Sequence, residues 1–162
     1  MGGQGKSDYL SLNQKRFPML LKDFFQHANW AAIAVAAVSY FALGSLWFSV
    51  LFGKPWMAGH NITMPDSPEA KAAMRKQMPL LMVKTFLMNV IMALGIAILV
   101  MRFGSVNCMA GIKLGIILSG FAIIPIAMSH MYLMKSMKVT IIDTAYHFVS
   151  IVLMTIILSV WH

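Results

Sequence analysis

The sequence predicts an all-α fold: a membrane-spanning four-helix bundle with an N-terminal amphipathic interfacial helix. Three observations carry this. Of 162 residues, 59% are hydrophobic and 11% are charged, against roughly 25% charged in soluble domains. The apolar residues gather into four runs, each near the ~20 residues needed to cross a hydrocarbon core. The 13 Lys and Arg residues lie almost entirely between or at the ends of those runs, where they meet lipid headgroups.

The elements follow in order. Residues 1–28 form an N-terminal arm, in which Phe17, Leu20, Leu21, Phe24 and Ala28 recur at helical spacing beside Arg16 and Lys22, after Pro18 as initiator. Such a pattern lies in the interface plane with its apolar face in the acyl boundary. Residues 29–162 form the bundle, with spans at about 29–52, 79–101, 111–134 and 139–161. Ala28 to Gly53 holds no formal charge and has Trp30 and Trp47 near its ends, as interfacial anchors should be. Between spans one and two, Asp66-Ser67-Pro68-Glu69 reads as a helix start with Asp or Ser as N-cap and Pro in the first turn, so a short basic surface helix is expected before span two. Only Lys135 to Lys138 joins spans three and four, which forces a tight antiparallel hairpin. Four crossings return the C-terminus to the side of the N-terminus.

Charge and composition narrow the function. The net charge of +8 belongs to loops between spans, not to a basic domain, so nucleic acid is not expected as a partner. Lys6, Lys15, Arg16, Lys22, Arg102 and Lys113 face Lys54, Lys71, Arg75, Lys76, Lys84, Lys135 and Lys138, a balance that does not decide orientation. Met1 to Ser7 is Gly-rich with no apolar stretch behind it, so it is not read as a cleavable signal. Lys6 stands where a myristoylation motif needs Ser or Thr. The lone Cys108 is read as an apolar packing residue. No nucleotide loop, no Cys or His cluster of metal-site spacing and no Ser beside a base is found. The protein is therefore not expected to be an enzyme, and no catalytic residue, cofactor or metal is assigned.

Ionisable groups inside hydrocarbon cost several kcal/mol and each needs a partner or a purpose. Lys84 lies five residues beyond Pro79, Asp143 five beyond Lys138, and His130 five before Lys135. At ~1.5 Å per residue all three sit about 7.5 Å inside the same membrane face. Asp143, Tyr146, His147 and Ser150 follow at i, i+3, i+4 and i+7, one polar stripe that should face the bundle. The leading reading pairs Lys84 with Asp143 and has Tyr146 and the histidines hold helices in register. A proton relay through Asp143 and His147 is the alternative. His130, Asp143 and His147 would also suit a divalent ion, but nothing in the sequence shows that they converge. Met128, Met131, Met134 and Met137 resemble a copper ladder, yet steps of three residues slip each by about 60°, so they share no face.

Mostly small residues recur every four positions, at Gly111, Gly115 and Ser119 on span three, Ala32, Ala36, Tyr40 and Gly44 on span one, and Ala93 and Ala97 on span two. That spacing lets backbones approach closely. Asn61-Ile62-Thr63 matches a glycosylation sequon too common by chance to be used.

Asn29-Trp30, Leu43-Gly44-Ser45-Leu46-Trp47-Phe48-Ser49, Phe52-Gly53-Lys54-Pro55-Trp56, and Ile142-Asp143 with Tyr146-His147 before Trp161 together resemble a family of small four-span bacterial membrane proteins, domain-of-unknown-function family 1761. Tyr132-Leu133-Met134-Lys135 departs from that family, which has a more acidic hairpin entry. The resemblance implies four spans and a bacterial inner (cytoplasmic) membrane, and no activity. The leading function is a structural or accessory subunit in the lipid bilayer, within a homo-oligomer or beside partner membrane proteins. A small proton-coupled transporter or channel using Lys84, His130, Asp143, Tyr146 and His147 is the alternative.

Overall fold

Four caps start the long helices of the computed structural model, which describes residues 21–161. Asn29, Ser67, Asn107 and Ser136 each stand in extended backbone, and each side-chain oxygen accepts a backbone N–H from three residues on, at Ala32, Ala70, Ala110 and Val139. Each cap satisfies a donor that a helix start otherwise leaves orphaned, which matters where no water reaches. The helices are α1 (21–27), α2 (Trp30–Leu46), α3 (Gly53–Gly59), α4 (Pro68–Phe103), α5 (Cys108–Tyr132) and α6 (Met137–Val160). A π-helical turn, Trp47–Leu51, closes α2. Four helices are long and apolar enough to cross a membrane, so this is a multi-pass membrane protein; its fold is all-α.

The proposed arm falls mainly on residues 1–20, including Lys6, Lys15, Arg16, Phe17, Pro18 and Leu20, which lie outside the described residues. Of the remainder, α1 carries Phe24, which is 2% exposed and belongs to the core, while Phe25 stacks on Trp30 with centroids 5.7 Å apart. That part of the arm packs into the end of the bundle.

Span two departs from expectation. The short surface helix and the span are one helix of 36 residues, with Ser67 as N-cap, Pro68 in the first turn and Pro79 inside. Pro79 leaves the Arg75 carbonyl without its N–H partner. Both residues are exposed, so solvent or headgroups supply that partner and the helix continues. At ~1.5 Å per residue α4 is about 54 Å long, well beyond a hydrocarbon core of about 30 Å. Gly104, at φ 59°, ends it in the left-handed conformation that glycine adopts without strain.

The core lies where α2, α4, α5 and α6 meet. Ala32, Ala36 and Ala93 are essentially inaccessible and Ala97 is buried, so α2 and α4 pack backbone to backbone. On α5, a Cβ at Gly115 would lie 2.8 Å from Val152 Cα and one at Gly111 would lie 3.0 Å from the Thr155 carbonyl. Buried Ser119 continues that line, its hydroxyl donating to the Ile116 carbonyl at 2.8 Å. These small residues seat α5 on α6 within one chain. Cys108, expected to be packed, is exposed in the first turn of α5.

Candidate functional site

Asp143 is buried near the start of α6 and receives groups from three directions. Trp56 Nε1–H donates to Oδ1 at 2.8 Å. His60 Nε2 lies 3.1 Å from Oδ2, and His130 Nε2 lies 3.4 Å from the same oxygen. Trp56 and His60 come from α3 and its C-cap, His130 from the end of α5. The two imidazole rings meet edge to face with centroids 5.8 Å apart, and Trp56 lies over His60 at 4.8 Å.

Local sequence dictates how α3 reaches this point. The π-turn directs Trp47 Nε1–H to the Ile142 carbonyl at 3.1 Å and sets Phe48 against Trp56 and Tyr146, with centroids 5.1 and 4.8 Å away. Such widened turns recur at functional sites. At Gly53 a Cβ would lie 2.8 Å from the Phe48 carbonyl, and at Gly59 it would overlap the Val139 side chain. Two glycines thus let a seven-residue helix fold back onto the start of α6. The chain then turns at Asn61, φ 57°, leaving His60 over the carboxylate.

The residues singled out from sequence divide. His130 and Asp143 meet, as their equal depth suggested. Lys84 does not join them: it is exposed on α4, and the ion-pair partners of Asp143 are the imidazoles of His60 and His130. Depth is set by helical rise, but α4 is rotated so that Lys84 points away from the bundle. His147 does not bond back to Asp143. Its Nδ1 lies 2.7 Å from Tyr40 Oη, tying α6 to α2. Tyr146 also turns to α2, its hydroxyl donating to the Tyr40 carbonyl at 3.5 Å and closing on Gly44, where a Cβ would lie 2.6 Å away. The stripe therefore splits between an Asp143 group on α3 and α5 and a tyrosine–histidine group on α2. Met131, Met134 and Met137 are more than 70% exposed and Met128 is 50% exposed; they build no shared site.

Sequence reasoning missed His60, Trp56 and Tyr40. Trp56 carries a signal as the end of the Gly53-Lys54-Pro55-Trp56 run of the family resemblance, and His60 follows Gly59 with no motif of its own. His60, His130 and Asp143 offer three ligand atoms that all lie within 4.8 Å of one another. That set can hold a proton, fasten elements or take a metal ion.

No curated protein and no solved structure matches the chain. The model of a family described as "Protein of unknown function (DUF1761)" matches residues 31–159. That stretch runs from the first turn of α2 to the last turn of α6 and contains every residue of the Asp143 group. The chain belongs to this family.

Proposed function

We propose that the protein is a structural or accessory subunit of a homo-oligomer or larger membrane complex, and not an enzyme. The observation that carries this reading is the first half of α4. Every residue from Pro68 to Thr85 is exposed, so five turns of helix bury no side chain in this chain. An isolated helix is marginal in water, and Met74, Met78, Leu81 and Met82 follow one another at i, i+4, i+7 and i+8 along it, the spacing of a docking face. Lys71 and Arg75 flank that stripe, which favours a partner with acidic groups at the headgroup level.

The contacts of Asp143 within one chain support fastening over transport. Trp56 Nε1–H donates to Oδ1 and His60 Nε2 lies 3.1 Å from Oδ2, and the group clamps α3 to the α5–α6 hairpin. The bacterial inner membrane implied by the resemblance is part of this proposal. The test is the protein mass within a mild-detergent micelle, measured by light scattering. A defined multiple of the 18.0 kDa chain, or a stoichiometric partner, is expected. Met74→Glu with Met78→Glu should reduce that mass while leaving helix content unchanged. A wild-type protein that runs as a single chain contradicts the reading.

A further inference from the structure

We propose that His60, His130 and Asp143 form a binding site for one first-row divalent transition-metal ion of the zinc type. The site stands on its own geometry and not on what covers α4, so its failure and that of the subunit reading are distinguishable.

The first support is spacing. Zinc bonds to nitrogen and carboxylate oxygen are about 2.1 Å long, and tetrahedral angles then place ligand atoms ~3.4 Å apart. His60 Nε2 and His130 Nε2 lie 3.1 and 3.4 Å from Asp143 Oδ2, and the whole set fits within 4.8 Å. An ion is accommodated by small side-chain shifts, with a fourth position left for water.

The second support is a hydrogen-bond chain that ends on His130. With Thr140 Oγ1–H on the Ser136 carbonyl at 3.3 Å, the Thr140 oxygen is placed to accept from His130 Nδ1 at 3.2 Å. In a neutral imidazole the proton is then on Nδ1, and the Nε2 lone pair faces a carboxylate oxygen. In that tautomer a positive centre between the two atoms, 3.4 Å apart, satisfies both lone pairs. A metal ion supplies it, and the Nδ1–H bond to Thr140 is the outer contact that orients metal-binding histidines. Trp56 Nε1–H does the same for the carboxylate through Oδ1.

The third support is charge and access. Asp143 is 9% exposed, and no Lys or Arg is paired with it among the described residues, whereas a buried carboxylate needs a compensating cation. The His60 side chain is 22% exposed, so an ion can reach the group from outside the bundle. Two imidazoles with one carboxylate select a transition metal over calcium or magnesium, which take oxygen ligands.

The test uses full-length protein without a histidine tag, purified in detergent, stripped with chelator, equilibrated with zinc chloride and dialysed. One zinc per chain by elemental analysis is expected, and cobalt in its place should give the intense visible bands of a tetrahedral site. His60→Ala lies outside the four spans; it should keep the helix content yet lose at least tenfold in zinc affinity. Thr140→Val should lose roughly 10–100-fold, the range for an outer-contact residue. His147→Ala, and His27→Ala at the exposed Asp23 pair, should bind as wild type. Folded wild-type protein that retains no zinc would overturn the proposal. Zinc retained undiminished by the His60→Ala, His130→Ala double variant would overturn it too.

Discussion

A side chain added at Gly115 would run into the Thr155 hydroxyl and the Val152 backbone, whereas one added at Gly95 would meet nothing within 4 Å. The same substitution therefore has opposite outcomes. Gly115→Ala should lower stability by about 1–3 kcal/mol through overpacking. Gly95→Ala should be neutral or stabilise by up to about 1 kcal/mol through helix propensity. Unfolding in mixed detergent followed by circular dichroism separates the two. At this scale the sequence was informative about what spacing alone determines. Four-residue steps placed Gly111, Gly115 and Ser119 on one face, and equal distance from the hairpin placed His130 beside Asp143. It was silent on lateral position. Lys84 has the right depth, but α4 is apolar all round within the membrane, so no amphipathic contrast reports its rotation. Asn89 illustrates the same blindness: it is 6% exposed and its Nδ2 finds no hydrogen-bond partner. Replacing it with Leu removes an unmet donor, and a gain of about 1 kcal/mol in the same unfolding assay is expected.

At the scale of elements, α3 decides what the Asp143 group becomes. It has seven residues, too few for a hydrophobic period to be read, and its two glycines resemble a loop rather than a helix pressed against α6. Hence the stretch between spans one and two reads as a linker in sequence, and His60 goes unnoticed. The start of α4 shows the converse. Ser67 and Pro68 are legible as cap and first turn, but the surface helix and span two, read as separate elements, are one helix that continues through Pro79. The hairpin of α5 and α6 followed directly from its short connection. The role of α3 can be checked with Trp56→Phe, which keeps the ring and deletes the 2.8 Å bond to Asp143. A hydrogen bond to a charged group contributes about 1.5–3 kcal/mol, so amide exchange should quicken in Gly53–Gly59 and remain unchanged in Leu114–Ser119. Equal protection of α3 in both proteins would mean that packing alone holds it.

At the scale of the whole molecule, two sides of the bundle are unlike. One gathers the loop after α2, with α3 and His60, beside the α5–α6 turn. The other gathers α1, the Gly104–Asn107 connection and the end of α6. The Asp143 group exists only if α3 and the α5–α6 turn share a side, because its ligands come from both. Cys108, exposed at the start of α5, is a native marker for the opposite side. The decisive measurement is labelling with a membrane-impermeant maleimide in sealed vesicles of one orientation, using Ile62→Cys and Leu133→Cys on a Cys108→Ser background against the wild type. Ile62 and Leu133 are both well exposed. The two new cysteines should react from the same side and native Cys108 only from the other. If Ile62→Cys and Leu133→Cys react from opposite sides, His60 cannot reach Asp143 and the assembled site does not exist.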